Sequence, residues 1–299
     1  MKKTFFAKSF ACILIVVLCV SAIVGQKAKP IVFAVLNDGN TLEPIALIEK
    51  GKLVPASDGS DEAKVIAQFT KNYYQPKTTY RLVFGGIDAG SVTIKSSDPK
   101  MECSANLAQI STQPTKMKLG GFVMALATNA PPNKEEKGLR RQPTAAERAE
   151  ITTLARAELA KQKVAASALK NLKFHNMTAL DTDDDGKAEI VGTAWVETSP
   201  TDRAVLFFIA EQNKAGKYAF GFSEFKAVNQ EEVMSGEITA IDTGIYCELL
   251  LDALDYNADN VDEIFTYTQG FEGNSFNAYR RSSGKWTRAF EGGNYHCAF

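Results

Sequence analysis

The densest chemistry in the chain lies between Asp181 and Val191, which reads Asp-Thr-Asp-Asp-Asp-Gly-Lys-Ala-Glu-Ile-Val. Counted from Asp181, carboxylates stand at positions 1, 3 and 5 (Asp181, Asp183, Asp185) and again at position 9 (Glu189). Gly186, at position 6, can take the left-handed backbone that wraps a chain round an ion. The carbonyl of Lys187 at position 7 can add another oxygen. Hard oxygen ligands in this number suit Ca2+ rather than zinc, which would call for His or Cys. The crowded aspartates repel one another, so a cation should order the loop; the alternative is a solvated acidic turn. A second, weaker copy begins at Asp255, where Asp255, Asn257, Asp259 and Glu263 take the same four positions. Asn260 replaces the glycine, and Asn tolerates the left-handed region.

An EF-hand would place a bidentate Glu at position 12 and a helix behind it. Position 12 is Gly192 in the first loop and Thr266 in the second, and Ile190, Val191, Trp195 and Val196 look like a strand. A loop feeding a strand resembles the Asp-x-Asp/Asn-x-Asp-Gly-x-x-Asp/Glu calcium loops of FG-GAP and VCBS-type repeats, the blades of integrin-like β-propellers. The resemblance covers Leu172 to about Phe290. It implies a structural Ca2+ in each loop. The first would be held by Asp181, Asp183, Asp185, the Lys187 backbone and Glu189, and the second by Asp255, Asn257, Asp259, the Val261 backbone and Glu263. A closed propeller takes at least about four blades, and two units are visible. Either the amino-terminal half supplies degenerate blades, or the carboxyl-terminal half is a smaller two-unit β domain. The linker and helix between the halves favour the second.

The elements that would carry these loops are mainly strands, with one or two helices (α+β). Each acidic loop is followed by three short strands: 190–197, 204–211 and 217–225, then 264–269, 277–281 and 285–290. A Gly-containing turn precedes an aromatic strand in both, at Tyr218 and Trp286, so residues 171–299 read as a repeat domain of two calcium-loop units. Residues 27–129 read as a β-rich domain with one helix from Asp61 to Tyr73. Strands are expected at 31–36, 44–48, 79–84, 91–94 and 119–128, with the Gly85-Gly86 cluster as a hairpin turn. A Pro- and charge-rich linker, 130–143, leads to a helix over 144–170 whose Thr144 and Glu147 form a capping box.

Lys2, Lys3 and Lys8 precede an apolar run from Phe10 to Val24, the pattern of a secretory signal over about residues 1–25. An uncleaved anchor is the alternative, but the run is shorter than the roughly 20 residues a spanning helix needs. The expected location is secreted or periplasmic, with no membrane span after cleavage. Cys103, Cys247 and Cys297 would remain, and Cys247–Cys297 is the favoured pair because both lie in the carboxyl-terminal half. Net charge is −1 with no basic stripe, which argues against nucleic acid.

A catalytic constellation is missing. The chain has two histidines, His175 and His296, and no Gly-x-Ser-x-Gly elbow. His175 reads as a strand residue and His296 as a carboxyl-terminal surface residue. Ser97-x-x-Lys100 and Ser167-x-x-Lys170 lack the companion motifs of β-lactamase-type enzymes. The expected function is a non-catalytic calcium-binding module or envelope protein, with a glycan or envelope protein as partner. The alternative is a hydrolase whose site is too dispersed to see in one sequence.

Overall fold

The computed structural model describes residues 28–56, 63–115, 117–132, 138–234 and 236–297. The expected signal segment lies outside the described residues.

The amino-terminal half is built from β1 (Ile31–Leu36), β2 (Thr41–Glu49), β3 (Lys52–Pro55), α1 (Ala63–Tyr73), β4 (Thr79–Phe84), β5 (Ile87–Ser97), β6 (Ala108–Pro114) and β7 (Ala125–Thr128). All pairings are antiparallel, in the order β1-β7-β4-β5-β6-β2, and β2 pairs with β1 again. The strands therefore close a barrel, with β3 attached to β2 as a hairpin. Left-handed residues make the tight hairpin turns: Lys50 and Gly51 between β2 and β3, Gly85 and Gly86 between β4 and β5. Gly86 is required for a second reason, since a Cβ there would run into the Asp262 carboxylate. β1 is buried on both faces. Ile31, Phe33 and Val35 point into the barrel with Tyr74, Tyr80 and Leu82, while Val32, Ala34 and Leu36 face the carboxyl-terminal half. A strand covered on both sides reads as a continuous apolar run rather than an alternating one.

The carboxyl-terminal half holds two sheets of the same plan. The first runs β9 (Lys173–Leu180), β10 (Glu189–Ser199), β11 (Asp202–Gln212) and β12 (Tyr218–Asn229). The second runs β13 (Leu249–Leu254), β14 (Glu263–Gln269), β15 (Gly273–Ser282) and β16 (Lys285–Tyr295). Both are antiparallel meanders, and each acidic loop joins the first strand to the second. Along β11 the alternation is strict. Ala204, Leu206, Phe208 and Ala210 face one way, and Val205, Phe207 and Ile209 the other.

The layers stack. Helix α2 (Ala145–Lys161) lays Ile151, Ala155 and Leu159 on the outer face of the first sheet. The first sheet packs on the second through Val191, Phe207, Ile264 and Tyr279. The second sheet packs on the barrel through Leu251, Leu254, Phe265 and Phe276. The two sheets thus have both outer faces covered without closing a ring, by a helix at one end and a barrel at the other.

Several expectations change. The helix over 144–170 is two helices, because α2 ends at Lys161, Lys163 is left-handed, and a single turn α3 (Ala166–Leu169) follows. Its capping box is present: Thr144 Oγ1 accepts the Glu147 N–H at 3.2 Å, and Glu147 Oε2 accepts the Thr144 N–H at 2.7 Å. Within the linker, β8 (Arg140–Arg141) pairs with β9 and extends the first sheet. Only Ala125–Thr128 of the run 119–128 is strand, since Gly120 and Gly121 hold the chain in a turn before it. The disulfide is Cys103–Cys297, with Cα atoms 5.5 Å apart, and not Cys247–Cys297. Cys247 is fully buried between the second sheet and the barrel, whereas the chain after β16 runs out to the barrel. His296 is buried there, its Nε2 2.9 Å from Glu43 Oε1 though off the line of a hydrogen bond, rather than on the surface.

Candidate metal centre

The two acidic loops share one backbone path. Left-handed residues stand at the fourth and sixth positions of both, Asp184 and Gly186 in the first, Ala258 and Asn260 in the second. The sixth N–H donates to the first carboxylate in both: Gly186 to Asp181 Oδ2 at 3.1 Å, Asn260 to Asp255 Oδ2 at 3.0 Å. The seventh N–H donates to the fifth: Lys187 to Asp185 Oδ1 at 2.7 Å, Val261 to Asp259 Oδ1 at 3.0 Å. The glutamate at position 9 turns inward in both and takes the second N–H, Thr182 to Glu189 Oε2 at 2.9 Å and Tyr256 to Glu263 Oε2 at 3.3 Å. The loops lie side by side, joined by the Asp262 N–H donating to the Thr182 carbonyl at 2.8 Å.

Their side chains differ. In the first loop one oxygen each from Asp181, Asp183 and Asp185 lie within 4.8 Å of one another. The Oδ1 atoms of Asp181 and Asp183 are shielded from solvent and accept no hydrogen bond. A shielded carboxylate oxygen without a donor is a costly arrangement that a cation would relieve. The donor set, aspartate oxygens on a turn with a glycine at its tip, fits a hard divalent cation. Burial, followed by the neighbouring aspartates, raises the pKa of Asp181. Glu189 does not join the triad: its Oε2 also accepts the Thr182 hydroxyl at 2.8 Å, and burial pushes its pKa up to about 7. Its place is at the base of the loop, holding the turn.

In the second loop the oxygens are already used. Asp255 Oδ1 accepts the Ala258 and Asp259 N–H groups at 2.8 and 3.2 Å, and Asn257 Oδ1 accepts the Asp259 N–H at 2.9 Å. The Asn257 amide donates to Glu263 Oε1. Burial pushes Glu263 up to about 9, so this loop is less anionic at neutral pH. Here the backbone does what a cation would do in the first loop.

Arg281 and Glu211 belong to the first centre and were invisible in the sequence. Arg281 Nη1 donates to Asp183 Oδ2 at 2.9 Å. Its Nε lies 2.9 Å from Glu211 Oε2, close enough for charge attraction but off the line of a hydrogen bond. Trp286 Nε1 donates to the same Glu211 oxygen at 3.3 Å. The arginine comes from β15 of the second sheet, so the first loop is tied across the interface between the two sheets. No local spacing signals a partner 98 residues away.

The histidines offer no catalytic pair. His175, in β9, stacks on Trp195 at 5.6 Å, and burial lowers its pKa. His296 is buried beside the barrel, against Glu43 of β2.

Fold and loops together define a class: a mainly β protein in which two like sheets each carry an acidic hairpin loop, one of them an aspartate triad able to hold a metal ion. Set against known families, curated proteins and solved structures, the chain matches none.

Proposed function

We propose that this is an exported, non-catalytic binding module whose first acidic loop takes a structural Ca2+. The carrying observation is the convergence of Asp181, Asp183 and Asp185 with two shielded oxygens left without donors. Asp181, Asp183, Asp185 and the Lys187 carbonyl are the ligands in this reading, with Glu189 as the loop's internal brace. The second loop, with Asp255, Asn257, Asp259, Val261 and Glu263, is the weaker site because its oxygens already hold backbone N–H groups. The repeated sheet plan and the shared loop backbone support kinship with FG-GAP and VCBS-type blades. The Cys103–Cys297 disulfide favours an oxidising compartment, secreted or periplasmic, where calcium is plentiful. No described helix is long and apolar enough to cross a membrane. The partner in this reading is a glycan or an envelope protein.

Extracellular calcium modules bind at about 10⁻⁴–10⁻³ M, so about 10 mM Ca2+ should stabilise the fold by about 1.4–2.7 kcal/mol. Thermal melting in Ca2+, in Mg2+ and in chelator tests this. The expected outcome is a Tm raised by several degrees in Ca2+ alone and unmoved in Asp183→Asn. Equal melting in Ca2+ and chelator would sink the reading.

A further inference from the structure

A recess of about 310 Å3 lies between the barrel, β8, the first turn of α2 and β9. Among the described residues its walls carry Arg140, Arg141 and Arg148 and no carboxylate. Phe84, Phe122 and Phe174 give it apolar faces. No residue of either acidic loop lines it, so it stands apart from the metal reading.

The three arginines are not equally available. Arg140 is committed to Asp252 at 2.7 Å, and Arg141 makes two 2.7 Å bonds to Glu147. Arg148 is exposed, on the first turns of α2, and meets no carboxylate among the described residues. Among the described residues, Arg148 is therefore the guanidinium of the recess left uncommitted.

The β9 wall is an open strand edge. β8 covers only Ala179 and Leu180. The Asp181 N–H donates to the Leu139 carbonyl at 3.3 Å, so the alternation of an antiparallel ladder puts the main-chain groups of Ala179, and then Met177, on that same edge. β8 stops opposite Ala179, which leaves the Met177 N–H and C=O facing the recess. The same stretch holds His175 Nε2 and both amide atoms of Asn176, all shielded from solvent and without hydrogen-bond partners. Buried polar groups are nearly always paired in native proteins, and a cluster of unpaired ones beside a cavity marks a missing partner. Burial lowers the pKa of the imidazole, so its neutral form is favoured and the unpartnered Nε2 can pair with a hydroxyl.

We propose that this recess binds a small hydroxylated carboxylate. Arg148 and the Asn176 amide take the carboxylate, a ligand hydroxyl pairs with His175 Nε2, and the C–H face of the ligand lies on the phenylalanines. A sugar acid and an aromatic hydroxy acid share this chemistry.

Calorimetric titration of the folded protein with glucuronate, glucose, mandelate and mandelamide tests it. Chelator is present throughout, so failure of the calcium reading and failure of this one are separate results. At least one acid should bind, at least tenfold more tightly than its neutral counterpart. Glucuronate alone identifies the sugar-acid source, and mandelate alone the aromatic one. Arg148→Gln, at an exposed position and checked for an unchanged fold by circular dichroism, should weaken binding tenfold or more. Asn176→Leu should do the same through the recess wall. No binding by either acid, equal binding of the neutral compounds, or unchanged affinity in Arg148→Gln overturns the proposal.

Discussion

Arg281 sets a cation of the protein's own beside the carboxylates proposed to hold Ca2+. Its guanidinium shares Asp183 with that ion, so the two compete for charge at one oxygen pair. The arginine is about one-third exposed (30%), which places the pair among partly screened ion pairs worth about 0.2–1 kcal/mol. Arg281→Gln should therefore raise the Ca2+ affinity roughly 1.4- to fivefold, the fold-change equivalent of that range. Titration calorimetry reads the effect, and an affinity that falls on this substitution would show that Arg281 supports the ion-bound loop instead. Asp183→Asn acts in the opposite direction and should remove binding. The Asp181 loop was legible because its candidate ligands lie within a few residues of one another. Arg281 and Glu211 were not, because only the stacking of two sheets brings them there.

Among the elements, α2 shows how much a local motif can foretell. Thr144 and Glu147 announced the helix start, and the capping box stands as read. What spacing could not show is that Glu147 also takes both Arg141 amino groups and accepts from the Tyr218 hydroxyl at 3.3 Å. Hydrogen bonding from Arg141, ahead of the Thr144 cap, holds the Glu147 carboxyl well below its ordinary value, at about 2. The sign follows from linkage. A carboxyl with a depressed folded-state pKa adds stability at pH values above its unfolded value near 4.5, and loses it as pH falls towards 2. Acid unfolding monitored by circular dichroism should show this loss between those values, and Glu147→Gln should flatten it. Glu147→Ala should cost about 0.5–2 kcal/mol at neutral pH, the range for a lost cap. The strands were legible where the side chains were apolar on both faces, as in β1 and β11. β6, Ala-Gln-Ile-Ser-Thr-Gln-Pro, was missed because only alternate residues touch the barrel interior and the rest are polar. The apolar stripe carries the helix to about Lys161, where α2 ends; the Ala-rich stretch to Leu169 favours helix, but the left-handed Lys163 separates it as α3.

Across the whole molecule, the order barrel, second sheet, first sheet, helix leaves two seams to hold. One is the Arg140–Asp252 pair, nearly fully buried, with the Arg140 guanidinium also donating to the Met124 and Leu251 carbonyls at 3.0 and 2.7 Å. The other joins the end of β16 to the barrel. Glu43 of β2 accepts from the Asn274 and Asn294 amides at 2.7 and 2.9 Å, His296 lies against it, and the Cys103–Cys297 bond follows at once. The cysteines stand 194 residues apart, which is why sequence proximity favoured the wrong pair. Closing so long a loop restricts the unfolded chain strongly, and removing such a bond from a native protein costs about 2–5 kcal/mol. The Glu43 cluster should keep the folded seam shut after the bond is gone, so Cys103→Ser should still fold, with its unfolding free energy from urea denaturation lowered by an amount within that range. Glu43→Leu leaves the half-buried Asn274 amide without its acceptor, while the Asn294 amide keeps the Pro44 carbonyl, a loss of about 1 kcal/mol. Because both changes act on one seam, the double variant should depart from additivity by more than about 0.5 kcal/mol. Urea unfolding of the four proteins measures this, and strict additivity would mean that the disulfide and the Glu43 cluster hold the tail independently.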